Sequence, residues 1–253
     1  MANSQPPNVL AVIPARYLSS RFPGKPLAPI AGKPMIQHVV ERVRRATLVS
    51  RVVVATEDAR IKSAVEAFGG EAVMTRSDHR TGTDRIAEVA THRSAEIYVN
   101  VQADEPLIDP GTVDALVAAM TEEDSVQLAT PCTAIAQPAD IMDPNIVKVV
   151  RDFESNALYF SRAPVPWVRD TAGTVTARHW KHLGLYGFRR AALLEFPTLP
   201  PGELEHLEQL EQLRWLENGF RIRVVETDYD AVSVDVPADV ERVERLLARA
   251  DQT

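Results

Sequence analysis

The apolar positions of this chain alternate between two periods. Val9–Pro14 (VLAVIP) is a short, partly β-branched apolar run without helical spacing, which predicts a buried strand. Lys33–Thr47 carries Met35, Ile36, Val39, Val40 and Val43 at helix spacing, with Pro34 suited to the first turn. Arg51–Ala55 predicts a second buried strand, and Ala59–Phe68 a second helix stopped by Gly69 and Gly70. Glu71–Met74, Ile97–Val101 and Val126–Pro131 continue as strands, with helices at Thr83–His92 and Pro110–Met120. Alternating units of this length indicate an α/β fold: a mostly parallel sheet with helices on both faces. Right-handed crossovers bring the C-terminal ends of the strands to one side.

The pattern changes after about residue 145. Ile146–Arg151 and Ala157–Ser161 read as paired strands, and Pro164–Ala177 as a loop. Leu183–Phe188 reads as an apolar strand. Glu203–Glu217 reads as one helix with Leu204, Leu207, Leu210, Leu213 and Leu216. Arg221–Glu226 is a last strand and Pro237–Ala250 a last helix. Residues 1–253 are thus expected to form a single domain, with an antiparallel excursion at about 145–190.

Composition narrows the class. An apolar fraction of 45% and a charged fraction of 25% are those of a globular protein. The net charge is −7 and the pI near 5.4, so clustered Arg and Lys suit one anionic ligand rather than nucleic acid. The only cysteine, Cys132, permits no internal disulfide and no cysteine-based zinc site, which favours the cytoplasm. Met1–Asn8 lacks the apolar run of a signal peptide, and no membrane partner is expected.

Candidate chemistry begins directly after the first strand. Arg16, Arg21 and Lys25 fall within ten residues on a segment that Pro23 and Gly24 keep from being a helix. Ligands of open α/β sheets sit outside the strand C-termini, where such a cluster suits a polyphosphate. Ser19 and Ser20 add hydroxyl donors. A solvated basic loop is the alternative. Neither GxGxxG nor GxxxxGK[ST] is present, which argues against a dinucleotide-binding dehydrogenase or a P-loop kinase. Asp104 and Glu105 follow the Ile97–Val101 strand. Asp104 is suited to Mg²⁺ beside a triphosphate, or to a turn or cap. Asp235, just before Pro237, carries the same two readings. Asp239 reads as a first-turn helix acid.

The segments PARY (14–17), SRFPGKP (20–26), MTRSDHRTGTDR (74–85) and NVQADEP (100–106) resemble the 3-deoxy-manno-octulosonate (Kdo) cytidylyltransferases. So do NIVKVV (145–150), ALYFSRAPVP (157–166), HLGLYGF (182–188), LEQLEQLR (207–214) and VDVPADVERV (234–243). The resemblance spans nearly the whole chain in order. It implies a nucleotide-diphospho-sugar transferase-like three-layer sandwich, a homodimer, and Mg²⁺ as cofactor. The implied reaction moves CMP from CTP to the anomeric 2-hydroxyl of Kdo, giving CMP-Kdo and pyrophosphate for lipopolysaccharide synthesis. Arg16 and Lys25 would bind the triphosphate on a loop shaped by Ser19, Ser20 and Arg21. Arg76, Asp78 and Gly82 lie in the segment implied to recognise cytosine and its ribose. Asp104 and Asp235 would hold Mg²⁺, and with Arg16 and Lys25 form the implied catalytic set. Gln102, Arg162, His182, Tyr186, Glu211 and Gln212 would line the acidic-sugar pocket.

Three positions depart from the family pattern. Ala103 stands where Gly is usual, Thr81 where Ser is common, and Val236 where Thr is common. The segment Arg169–Trp180 is compact. The rival readings are a cytidylyltransferase for another acidic keto-sugar (amino-Kdo or sialic-acid-like), a guanylyl- or uridylyltransferase, and a non-catalytic nucleotide-sugar binding protein. A binding protein would not need Arg16, Lys25, Asp104 and Asp235 together.

Overall fold

The computed structural model describes residues 7–19, 21–169 and 178–250. Its first half contains β1 (Val9–Pro14), β2 (Pro29–Ile30), β3 (Lys33–Pro34), α1 (Met35–Val43), β4 (Arg51–Thr56), α2 (Ala59–Ala67), β5 (Ala72–Met74), α3 (Gly82–His92), β6 (Ile97–Asn100) and α4 (Pro110–Glu122). Then follow β7 (Leu128–Ala134), α5 (Pro138–Met142), β8 (Lys148–Arg151), β9 (Ala157–Ser161), β10 (Trp180–His182), β11 (Tyr186–Arg189), α6 (Arg190–Glu195), α7 (Glu203–Glu208), α8 (Gln212–Glu217), β12 (Arg223–Glu226) and α9 (Ala238–Ala250).

Ten of these strands make one sheet in the order β5-β4-β1-β6-β11-β7-β10-β8-β9, with β12 parallel to β7 off that path. β5, β4, β1 and β6 pair in parallel. β11, β10, β8 and β9 are the antiparallel part, β11 being inserted between β6 and β7. The uninterrupted apolar run of β1 follows from burial on both faces. Val9, Ala11 and Ile13 pack toward the side of α1, α2 and α4, and Leu10 and Val12 toward the side of α3, α6 and α8. Three layers result. On the second side Trp215 is 2% exposed, with the rings of Phe196 and Phe220 each at 4.9 Å and Phe188 at 5.9 Å. A third cluster, with Ile30, Met35, Val234 and Val243, seats α9 against the β2–β3 hairpin.

Several boundaries differ from the sequence reading. The helix expected from Lys33 starts at Met35, because Pro34 is extended at its N-cap (ψ 142°) and pairs with Pro29. The strand expected over Leu183–Phe188 is interrupted. Thr130 Oγ1 lies within hydrogen-bond reach of the carbonyls of Leu183 and Leu185, and the chain kinks between β10 and β11. The single helix expected over Glu203–Glu217 is two helices. Gln209 adopts the left-handed conformation (φ 52°) and ends α7. Arg162 donates from Nε to the Glu208 carbonyl at 2.7 Å and from Nη2 to that of Gln209 at 3.4 Å, which satisfies the carbonyls exposed at this helix end. The leucine stripe breaks there too, with Leu207 exposed while Leu210 and Leu213 are buried. Part of the loop expected at Pro164–Ala177 lies outside the described residues.

Candidate active site

The segment after β1 doubles back on itself. The Tyr17 carbonyl accepts the Gly24 N–H at 2.8 Å, and Gly24, at φ 72°, sends the chain into a turn at Lys25–Leu27. A Cβ on Gly24 would lie 3.2 Å from the Tyr17 ring, so both conformation and space require glycine. The turn aims Lys25 inward. Its ammonium donates to Asp104 Oδ2 at 2.5 Å and to the Val234 carbonyl at 3.0 Å, with Asp235 Oδ1 at 3.8 Å. Arg21 reaches the same Asp235 Oδ1 at 2.8 Å. Asp104 and the segment carrying Asp235 are joined by the Val234 N–H donating to the Asp104 carbonyl at 2.9 Å. Three distant stretches thus meet at one cationic and carboxylate cluster.

Asp104 lies in a turn after β6, so its turn role stands beside its contact with Lys25. The backbone N–H groups of Asp235 and Val236 go to Asp239 Oδ2, at 2.8 and 2.9 Å. Asp239 is therefore the first-turn acid expected, and the Asp235 carboxylate is left to the cations. Ala103 is half-buried and outside the left-handed region, so its methyl carries no backbone strain. Ser19 Oγ accepts the Phe22 N–H at 3.4 Å, which shapes the loop. Ser20 lies outside the described residues.

Arg16 points the other way. Its Nη2 donates to the His79 carbonyl at 2.8 Å, linking the loop to residues 75–81. There Arg76 and Asp78 form an exposed pair at 3.1 Å. Thr81 caps α3, accepting from Asp84 N at 3.1 Å while Asp84 accepts from Thr81 N. The threonine hydroxyl thus serves as the cap. Gly82 opens the helix, and a Cβ there would touch Pro14 at 3.4 Å. A groove of about 550 Å³ runs along this segment, bounded by Arg76, His79, Arg80, Asp84, Glu88 and Leu194.

The residues expected to line the sugar pocket lie across β6. Gln102 donates to the Gly184 carbonyl at 3.0 Å. His182 is buried with Nε2 2.9 Å from Thr130 Oγ1 and its ring 5.5 Å from that of Tyr186. Burial drives the His182 imidazole down to about 3, so it is neutral at pH 7. Burial, with the Glu211 charge added, raises the Tyr186 phenol well above its ordinary value. Burial also raises Glu211, outweighing the hydrogen bond its carboxylate accepts from the Thr83 hydroxyl. Gln212 is 5% exposed and its Nε2 has no partner. Arg162 differs from the arrangement expected of a carboxylate fork. Its guanidinium is engaged by the carbonyls of Pro144 (2.9 Å), Glu208 and Gln209.

Two residues escaped the sequence reading. Asn100 is 2% exposed at the end of β6, opposite Tyr186 in register, and its Oδ1 is unpartnered. A polar residue ending an otherwise apolar strand is the signal that marks it. Arg85 is fully buried on α3. Its signal is a cation on the apolar stripe of Ile86, Val89 and Ala90.

Asp104 and Asp235 also fit a magnesium ion. Both carboxylates lie on one ammonium and are partly exposed, at 29% and 43%. Two hard oxygen donors with room for water and phosphate are what Mg²⁺ accepts. No cluster of three or more metal-ligating side chains occurs among the described residues.

Residues 10–223 match the Cytidylyltransferase family. The chain is 54% identical to a 3-deoxy-manno-octulosonate cytidylyltransferase of Geobacter sulfurreducens, over 93% of this chain and 98% of that one. It is 52% identical to the protein of that name from Solibacter usitatus, over 95% of each. A solved structure of CMP:2-keto-3-deoxy-manno-octonic acid synthetase complexed with CTP superposes with a TM-score of 0.92 at 46% identity, over 96% of this chain and 99% of that one. The 4-diphosphocytidyl-2C-methyl-D-erythritol synthase of Anaerococcus prevotii shares the fold, at a TM-score of 0.62 and 11% identity. With this fold and these relatives, the chain belongs to the 3-deoxy-manno-octulosonate cytidylyltransferase family.

Proposed function

We propose that this protein transfers CMP from CTP to the anomeric 2-hydroxyl of Kdo, releasing pyrophosphate, in the supply of lipopolysaccharide precursors. The observation that carries the reading is the meeting of Lys25 with Asp104 and Asp235 in a chain 54% identical to a named Kdo cytidylyltransferase. The sugar oxygen bonds to the α-phosphorus, the bond from that phosphorus to the bridging oxygen breaks, and the hydroxyl proton leaves to solvent. Such a transfer depends on positioning and charge neutralisation and needs no side-chain nucleophile.

Arg16, Arg21 and Lys25 supply positive charge to the triphosphate, and the loop carrying Ser19 and Ser20 supplies donors. Lys25 neutralises charge at the α-phosphate, as its inward aim at the carboxylate pair supports. Asp104 and Asp235 would hold Mg²⁺, which when bound supplies positive charge and lowers the pKa of a coordinated hydroxyl. Arg76, Asp78 and the Gly82 turn receive the base and ribose. Gln102, His182, Tyr186, Glu211 and Gln212 line the sugar pocket. There the neutral imidazole and the unpartnered Gln212 amide can hydrogen-bond sugar hydroxyls without adding charge. Arg162 belongs to the same pocket wall through its hold on Glu208 and Gln209, just before Glu211 and Gln212.

The protein is further proposed to be a single-domain homodimer of the cytoplasm. Phe153, Leu158 and Trp167, exposed large apolar side chains around β8 and β9, support a second copy seated there. The buried thiol of Cys132, pushed up to about 12 mainly by burial, suits reducing surroundings but does not require them. The test of the reaction is pyrophosphate release from each of the four NTPs with Mg²⁺ across a panel of 2-keto-3-deoxy acid sugars. Release with CTP and Kdo is expected. Absence of release with CTP and every such sugar would sink the enzyme reading, and a stronger response to an amino-Kdo or sialic-acid-like sugar would move the acceptor.

A further inference from the structure

Residues 76–78 and 80 are exposed, so the loop at 75–81 does not take its shape from a core of its own. α3 holds it instead. Arg85 Nη1 donates to Thr75 Oγ1 at 2.5 Å, where β5 gives way to the loop. Arg85 Nη2 lies 2.7 Å from Glu57 Oε2, just beyond the end of the neighbouring strand β4. One turn along, Glu88 Oε2 accepts the Arg76 N–H at 3.1 Å and pairs with His79 Nε2, on a ring only 5% exposed. The same His79 presents its carbonyl to Arg16 at 2.8 Å.

Burying a guanidinium is costly unless its partners are well placed, and an apolar side chain would fill this stripe without that cost. Arg85 is fully buried all the same, and its Nε remains unpartnered. What the cation provides is one hydrogen bond to Thr75 and one ion pair to Glu57, whose Oε2 has no hydrogen-bond partner, and these two contacts tie adjacent strand ends to one helix. Glu88 adds a second tie, three residues along the same face.

We propose that Arg85 and Glu88 are positioning residues for the nucleotide half of the reaction. Neither needs to touch substrate. Together they set the shape of the 75–81 loop and, through the His79 carbonyl, the direction of Arg16. The inference rests on the reading above that Arg16 and this loop receive CTP.

The test measures CTP binding by calorimetry without sugar, together with steady-state kinetics, for wild type, Arg85→Lys, Glu88→Ala and Glu88→Gln. Val117→Ala, in the core on the opposite face of the sheet, controls for lost stability. Arg85→Lys and Glu88→Ala are expected to raise Kd and KM for CTP about tenfold, with the sugar KM within about twofold. Glu88→Gln, which keeps an acceptor for the Arg76 N–H, should recover part of the loss. Val117→Ala should lower Tm and leave the CTP Kd alone. Wild-type CTP affinity in Arg85→Lys and Glu88→Ala overturns the proposal. So does an equal rise in sugar KM, or an equal rise in CTP Kd in Val117→Ala. If Arg85→Lys does not fold, the two Glu88 variants decide it, since that side chain is 20% exposed and outside the core. Failure of wild type to bind CTP is a different result, which removes the proposed function and this inference with it.

Discussion

Lys25 Nζ donates to Asp104 Oδ2 at 2.5 Å, while Asp235 Oδ1 lies 3.8 Å from the same nitrogen. Lys25, with Arg21 on the same Asp235 oxygen, thus balances two carboxylates from distant parts of the chain with two cations of the loop after β1. Without them the carboxylates would repel one another. The site is held in a compact, charge-balanced form by the groups it uses.

Asp104→Asn and Asp235→Asn should each lower turnover by orders of magnitude while circular dichroism and Tm stay near wild type. Near-normal turnover in either variant would take that carboxylate out of the metal set. Removal of Mg²⁺ with a chelator should stop pyrophosphate release, and restoring Mg²⁺ should return it.

Lys25→Ala should reduce kcat far more than it raises the sugar KM if its ammonium serves the phosphate side as proposed. The opposite split would reassign Lys25 to the acceptor.

His182 makes stability depend on pH. Its folded imidazole titrates at about 3 because it is buried, against 6.5 for the ordinary group. Above pH 6.5 both folded and unfolded forms are neutral, and the contribution is fully present. Between 6.5 and about 3 only the unfolded chain takes up the proton, so stability falls as the solution is acidified. The loss is on the order of 5 kcal/mol across that window. His182→Asn should flatten the acid limb of a denaturation series at pH 4–6.5, and an unchanged slope would count against the buried neutral form.

Arg162→Ala should destabilise the α7–α8 junction, by about 1–3 kcal/mol, because three carbonyls lose a charged donor. Chemical denaturation measures it. A variant of wild-type stability with a raised sugar KM would show that Arg162 serves the sugar carboxylate rather than the helix end.

The β2–β3 hairpin turns through Ala31 at φ 47° and Gly32 at φ 79°. Both residues are left-handed, the arrangement that favours Asn-Gly. Ala31→Asn should raise stability by about 0.5–1 kcal/mol, read as a higher Tm with unchanged kinetics.

Much of this molecule was legible locally. Strand β1 was readable from VLAVIP because a strand buried on both faces needs an unbroken apolar run. Helix α1 was readable from Met35, Ile36, Val39, Val40 and Val43 because all five are buried, four in the core under β1 and Met35 in the cluster beneath α9, although its start moved to Met35. Asp239 as a first-turn helix acid and the basic loop after β1 were equally visible, since helix starts and turns are set by neighbouring residues.

Tertiary structure decided the rest. The leucines from Leu204 to Leu216 describe one helix by spacing, but the Arg162 guanidinium satisfies the carbonyls at a break that no nearby residue announces. The placing of β11 between β6 and β7 depends on edge hydrogen bonds that local periodicity does not encode. The convergence of Lys25, Asp104 and Asp235, and the hold of α3 on residues 75–81, are of the same kind. Local periodicity reflects which face of an element is buried, so the sequence alone determined the elements. Ion pairs and strand neighbours join residues far apart in the chain, where spacing carries no information, so only the fold determined the site.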